Sequence, residues 1–206
     1  MTQQALALVE FSGAAAGILA VDRLLKEAPV ALLRCGTVHP GRYLALVGGS
    51  VAATEVAHQA ACAVAAAGCA LVDEVCLADP HPQLAAAVGG ARRACAGEAL
   101  GVIELGTSPG LLRALDAVLK AVPVELVEAR LADDLGGRAL AVVAGRLPDV
   151  QAALDLARER KGPAAEWLGG ALLPRLDDTL RDVLAAGTAF GRCPAFEPAG
   201  AEKVEG

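Results

Sequence analysis

A chain of 206 residues has room for one large domain or two small ones. It is 55% hydrophobic but only 2% aromatic, with a formal net charge of −6, so Ala, Val and Leu must build the core. With no basic block and too few aromatic rings for base stacking, nucleic acid is not an expected partner. The mean hydropathy of +0.48 would suit a membrane protein. However, the most apolar stretch, 52–72, carries Glu55, His58 and Gln59, and other apolar runs are broken well before the ~20 residues that a span needs. No basic segment followed by an apolar one opens the chain, so neither a signal peptide nor a membrane location is expected. The cysteines Cys35, Cys62, Cys69, Cys76, Cys95 and Cys193 have no C-x-x-C spacing. They are expected to be reduced and mostly buried as small hydrophobes.

In chain order, alternation predicts a strand over 5–10, followed by a helix of about four turns with Ser12 as N-cap. Ile18, Val21, Leu24 and Leu25 share one face of that helix, Asp22, Arg23, Lys26 and Glu27 the other, and Pro29 ends it. Two strands, 31–37 and 42–47, then form a hairpin whose tip is His39-Pro40-Gly41. Gly48-Gly49 turns the chain into a helix over 51–67, and a strand over 70–77 leads to a short helix near Pro80-His81. Residues 89–98 are small and polar and read as a linker.

The same order then repeats. At an offset of 94, Glu10 matches Glu104, Asp22 matches Asp116, Lys26 matches Lys120 and Pro29-Val30 match Pro123-Val124. After the hairpin tip the offset becomes 96, pairing Gly41-Arg42 with Gly137-Arg138 and Gly49 with Gly145. A length change confined to a loop is the mark of duplication followed by loop divergence. The second copy has Ser108 as N-cap with Pro109 at the first helical position, an apolar face of Leu112, Leu115, Val118 and Leu119, a helix over 147–160 and a strand over 166–172. The expected organisation is a domain over 5–88, a linker over 89–98, a second domain over 99–186 and a mobile tail over 187–206. The fold class is α/β, each copy an α+β sandwich with a ferredoxin-like antiparallel sheet and helices on one face.

Several pieces of this repeat resemble one family: "LVE" and "VIE" in the first strand, "AVDRLLKEAPV" and "ALDAVLKAVPV" in the first helix, "VHPGRYLALVGGSV" and "LGGRALAVVAGRL" around the tip, and "LADPHPQL" at the last strand. Over 5–186 the chain is similar to the tandem-domain class of bacterial microcompartment shell proteins in unpermuted order, with the propanediol-utilisation tandem proteins as the nearest branch. The resemblance implies a homotrimer whose six domains imitate a hexagonal tile, packed with other microcompartment shell proteins into a shell in the cytoplasm. It implies a central pore for small metabolites, lined by His39, Pro40 and Gly41 from one domain and by Leu135, Gly136 and Gly137 from the other. Arg42, Asp133, Asp134 and Arg138 become pore-mouth charges that sum to zero, and Lys26, Lys120 and Arg175 become tile-edge contacts. Arg175 has Asp79 as its first-domain counterpart, so the two kinds of edge are expected to differ.

His39 stands where the propanediol-utilisation proteins have a Cys that holds an iron–sulfur cluster, and His is a less usual ligand for such clusters. No resident cofactor is expected. His39 reads as polar pore lining, with a metal held on the axis by three copies as the alternative. Cys35 and Cys62 read as core, and His58 and His81 as structural, without a Cys or carboxylate at ligand spacing. Gly48-Gly49 lacks the Lys-Ser/Thr of a phosphate loop. No catalytic constellation recurs in both copies, so the protein is not expected to be an enzyme. A small-molecule-binding regulator or enzyme of ferredoxin-like fold stays as the remote alternative.

Overall fold

In the computed structural model, which describes residues 4–132 and 134–189, the strand–helix–strand–strand–helix–strand–helix order occurs twice. The first copy comprises β1 (Ala5–Phe11), α1 (Ala14–Glu27), β2 (Ala31–Val38), β3 (Arg42–Gly49), α2 (Val51–Ala67), β4 (Leu71–Ala78) and α3 (Pro82–Val88). The second comprises β5 (Ala99–Leu105), α4 (Ser108–Ala121), β6 (Glu125–Leu131), β7 (Ala139–Gly145), α5 (Leu147–Arg160), β8 (Trp167–Leu173) and α6 (Asp178–Ala186). Each copy folds into one antiparallel sheet, in the orders β2-β3-β1-β4 and β6-β7-β5-β8. The repeat also holds in register, since Val9 pairs with Ala45 and Glu74 while its twin Ile103 pairs with Ala141 and Gly170.

Helices cover one face of each sheet, and small side chains let them lie close. In α2 the buried stripe is Thr54, Ala57, Ala61 and Ala65, at helical spacing. A Cβ on Gly17 of α1 would lie 2.3 Å from Tyr43 Cδ1 on β3, so only glycine fits beneath that ring. The twin positions are Leu111 and Ala139, both fully buried. Each copy therefore fills the same space with one large and one small residue, assigned to opposite elements.

The other face of the first sheet is also covered, except along its edge strand β2. Leu8, Leu44, Leu46 and Val75, with Leu84 and Val88 of α3, join the core of the second copy around Ile103, Leu112 and Leu115. That burial on both sides explains why β1 is apolar nearly throughout. The expected linker is itself packed: Cys95 is buried against Leu100, Val127, Val142 and Leu176, Arg93 N–H donates to the Val127 carbonyl at 3.1 Å, and Arg92 pairs with Glu128.

Some local expectations fail. The N-caps are Gly13 and Thr107, not Ser12 and Ser108. Thr107 is the side chain that caps α4, its hydroxyl accepting from Gly110 N–H at 3.3 Å, and Ser108 is already helical. Ile18 and Leu25 are not core residues: they are 59% and 43% exposed, whereas their twins Leu112 and Leu119 are 1% and 7% exposed. Cys35 and Cys69 are exposed, against the expectation of burial. Cys193 and most of the expected tail lie outside the described residues.

Candidate functional site

The two hairpin tips, about a hundred residues apart in sequence, meet. Gly41 at φ +92°, Gly136 at +61° and Gly137 at +78° occupy the left-handed region that suits glycine, which lets both tips turn tightly. A Cβ on Gly137 would lie 3.2 Å from Pro40 Cδ and 3.3 Å from Arg42 Cζ, so the second tip is seated on the first. His39, Pro40, Gly41, Gly136 and Arg138 are exposed, Leu135 is half-buried and Gly137 is buried. The His39–Pro40 peptide is cis. Asp134 is exposed, while Asp133 lies outside the described residues.

Arg42 is not a loose charge beside the tips. Its Nη1 donates to Glu10 Oε1 at 2.5 Å, to the Gly106 carbonyl at 3.0 Å and to the Gly137 carbonyl at 3.2 Å. Glu10 is fully buried, and its Oε2 accepts from Ser108 N–H at the start of α4 at 2.9 Å. Burial pushes the Glu10 carboxyl up from its ordinary value, with Ser108 N–H and the Arg42 guanidinium opposing. One ion pair thus fastens first sheet, second-copy helix and both tips together.

The rest of this joint is polar and buried. Thr107 Oγ1 donates to Asp73 Oδ2 at 2.5 Å, and Arg113 reaches Asp73 and the Glu74 carbonyl. His81 N–H donates to Asp116 Oδ1 at 2.8 Å, and Leu126 N–H to Gln83 Oε1 at 2.8 Å. His81 caps α3, its Nδ1 accepting from Gln83 N–H at 3.3 Å. None of Asp73, Thr107 or Arg113 was singled out from sequence, because their partners lie some 34 to 40 residues away and the repeat does not preserve them. The three expected edge residues are surface groups. Lys26 pairs with Asp22 and Lys120 with Asp116, each at 2.7 Å, and Arg175 is exposed.

The sequence profile of the BMC domain matches residues 5–80 and again 99–175. The chain is 32% identical over 177 residues to the bacterial microcompartment shell protein PduT of Citrobacter freundii, covering 86% of this chain and 95% of that one. The chain belongs to the BMC-domain family. A crystal structure of a microcompartments protein from Desulfitobacterium hafniense DCB superposes with a TM-score of 0.73 at 30% identity, over 88% of this chain and 99% of that one. A fused permuted hexameric shell protein from the RMM microcompartment, at a TM-score of 0.54 and 18% identity over 76% and 83% of the two chains, shares the fold alone.

The chain is therefore a bacterial microcompartment shell protein with two tandem BMC domains. The shell-protein family is structural, which implies no catalytic role, and its members assemble with other shell proteins. Among the described residues no helix is long and apolar enough to cross a membrane.

Proposed function

We propose that three chains close into a pseudohexameric ring of six BMC domains, one tile of the shell, with the six hairpin tips around a central pore for small metabolites. The observation that carries this reading is an interface with two unused halves. Within the chain, α4 of the second domain packs on β1, β4 and α3 of the first. The equivalent surface at the front of the chain, the α1 face with Ile18, Leu19 and Leu25, is uncovered. So is the surface it would need at the back, where β8 is only half-buried and α6 has no buried residue. A chain that carries both halves of one contact repeats it head to tail, and rings form where the rotation closes.

Polar groups tell the same story. Ala14 N–H is the twin of Ser108 N–H, and Gly13 gives it no side-chain cap. Glu104 and Arg138 are the twins of Glu10 and Arg42. In the proposed ring, Glu104 of one chain accepts from Ala14 N–H of the next, and Arg138 reaches that chain's Ser12 and Gly41 carbonyls. The pore is then built from alternating His39-Pro40-Gly41 and Leu135-Gly136-Gly137 tips. Arg42, neutralised by Glu10, adds no free charge to its mouth, and Arg138 is tied to Glu104 in the same way, which leaves the Asp133–Asp134 pair to set any preference between ions.

Native mass spectrometry tests the ring directly, with a trimer expected. Electron microscopy of concentrated protein is expected to show hexagonal arrays. A persistent monomer at micromolar concentration overturns the reading.

A further inference from the structure

Away from the tips, the helix face of the first domain carries a group of ligating side chains. His58 and Cys62 stand at i and i+4 on α2, stacked on one side of the helix. Glu74 of β4 points to the same place, because it lies on the helix-facing side of the sheet beside Val9. His58 Nε2 is 2.7 Å from Glu74 Oε2 and 3.4 Å from Cys62 Sγ, and the three ligand atoms all lie within 4.8 Å of one another. This corrects the expectation that His58 has no partner at ligand spacing and that Cys62 is plain core.

We propose that His58, Cys62 and Glu74 form a binding site for a borderline divalent transition-metal cation, zinc above all, with one coordination position open to water.

The donor set of one imidazole nitrogen, one sulfur and one carboxylate oxygen suits such a cation, and three protein ligands leave a tetrahedral site open. Zinc–ligand bonds at tetrahedral angles place neighbouring ligand atoms about 3.4–3.6 Å apart. The nitrogen–sulfur separation already has that value, and the nitrogen–oxygen one opens by less than about 1 Å. Glu74 has the freedom for that movement, since its side chain is 40% exposed, and the same exposure gives a cation its way in. The strand beneath is fixed, because Arg113 holds the Glu74 carbonyl and Asp73 next to it.

A hydrogen-bonded His58–Glu74 pair would account for two members but not for the third. Nε2 faces both an oxygen and a sulfur, and one N–H cannot serve both well, whereas a central cation serves all three. The duplication shows that the fold does not require these side chains. Their twins are Leu154, Arg158 and Gly170, and there Trp167 fills the space with Arg158 stacked on it at 5.3 Å.

The test is cobalt(II) titration of the reduced, chelator-treated full chain, read by absorption, with wild type, His39→Ala, Cys62→Ser and Glu74→Gln compared. Wild type and His39→Ala are expected to bind one cobalt per chain with thiolate-to-cobalt charge transfer and the intense d–d bands of a tetrahedral site. Cys62→Ser is expected to lose the charge transfer, and Glu74→Gln to bind at least about tenfold more weakly. Zinc should raise the thermal midpoint of wild type but not of Cys62→Ser, provided both melt cooperatively without metal. Three results overturn the site: no charge transfer in wild type, equal charge transfer in Cys62→Ser, or its loss in His39→Ala. If Cys62→Ser does not fold, Glu74→Gln decides alone, and unchanged affinity there overturns the site as well. None of these readouts depends on ring formation.

Discussion

Replacing Arg42 with Met isolates the ion pair at the centre of the domain joint. Glu10 is fully buried and has two strong partners, Arg42 Nη1 at 2.5 Å and Ser108 N–H at 2.9 Å. Removing one member of a buried pair leaves the other charge uncompensated, at about 3–5 kcal/mol. Because the Arg42 side chain is 31% exposed, water can approach where it stood, and the lower end of that range applies. The Gly106 and Gly137 carbonyls lose a donor too, at about 0.5–1.5 kcal/mol each, less where water replaces it. The expected loss at pH 7 is about 3–4 kcal/mol.

The pH dependence identifies the cause. The folded-state value of Glu10 lies above the ordinary 4.5, so protonation favours the fold. Its contribution is complete below about 4.5 and is lost as pH rises through the folded-state value. Arg42 is one of the influences holding that value down. Without it the value climbs further, so the variant's deficit is largest at neutral pH and narrows towards pH 4.5. Urea unfolding of both proteins at equal concentration, at pH 7 and pH 4.5, measures the difference. A deficit under about 1 kcal/mol at pH 7, or one that is the same at both pH values, refutes the assignment.

The large–small exchange between the copies predicts a rescue. Gly17→Leu should clash with the Tyr43 ring, and Tyr43→Ala should lose about 3–5 kcal/mol through its cavity. The double variant, which imports the Leu111–Ala139 solution, should recover at least half of the summed loss in urea unfolding. Glu104→Gln with Arg138→Met should weaken the trimer in native mass spectrometry while leaving the circular dichroism spectrum unchanged. Lys26→Ala should keep the oligomer mass but abolish ordered arrays in electron microscopy.

Element order was readable from sequence because the repeat and the hydrophobic periods agree, and the expected helices 51–67 and 147–160 are the observed α2 and α5. Which apolar face is covered was not readable. Ile18 and Leu112 stand at the same turn of equivalent helices, yet only Leu112 has the other domain against it. Cys35 was expected in the core because it lies four residues before His39, a layer away from the hairpin tip. However, β2 is an edge strand left exposed or half-buried along its whole length, whereas its twin β6 has Leu126, Val127 and Glu128 buried. The His58–Cys62 spacing was visible all along as i, i+4 on a helix. Its third member, Glu74, became evident only when β4 was placed beside α2. Arg42 read as a mouth charge because its partner Glu10 sits 32 residues away on another strand.

The residues at the joint also separate two interfaces that the duplication made equivalent. Inside the chain the contact carries Asp73, Thr107 and Arg113 in one buried network. At the matching positions of the proposed contact between chains stand Gly169, Gly13 and Leu19. Leu19 and Ile18 are each 59% exposed, and would meet a strand whose glycines, Gly169 and Gly170, permit close approach. The covalently joined interface therefore adds a polar network to its apolar core. The proposed interface between separate chains is the more apolar one, with Glu104 and Arg138 as its main charges. Apolar burial is not screened by salt, and exposed charge pairs beyond a Debye length of about 3 Å at 1 M are. Trimer mass measured by light scattering should accordingly hold from 0.1 M to 1 M sodium chloride at fixed protein concentration. Dissociation into monomers over that range would show that charge, not the α1 face, joins the chains.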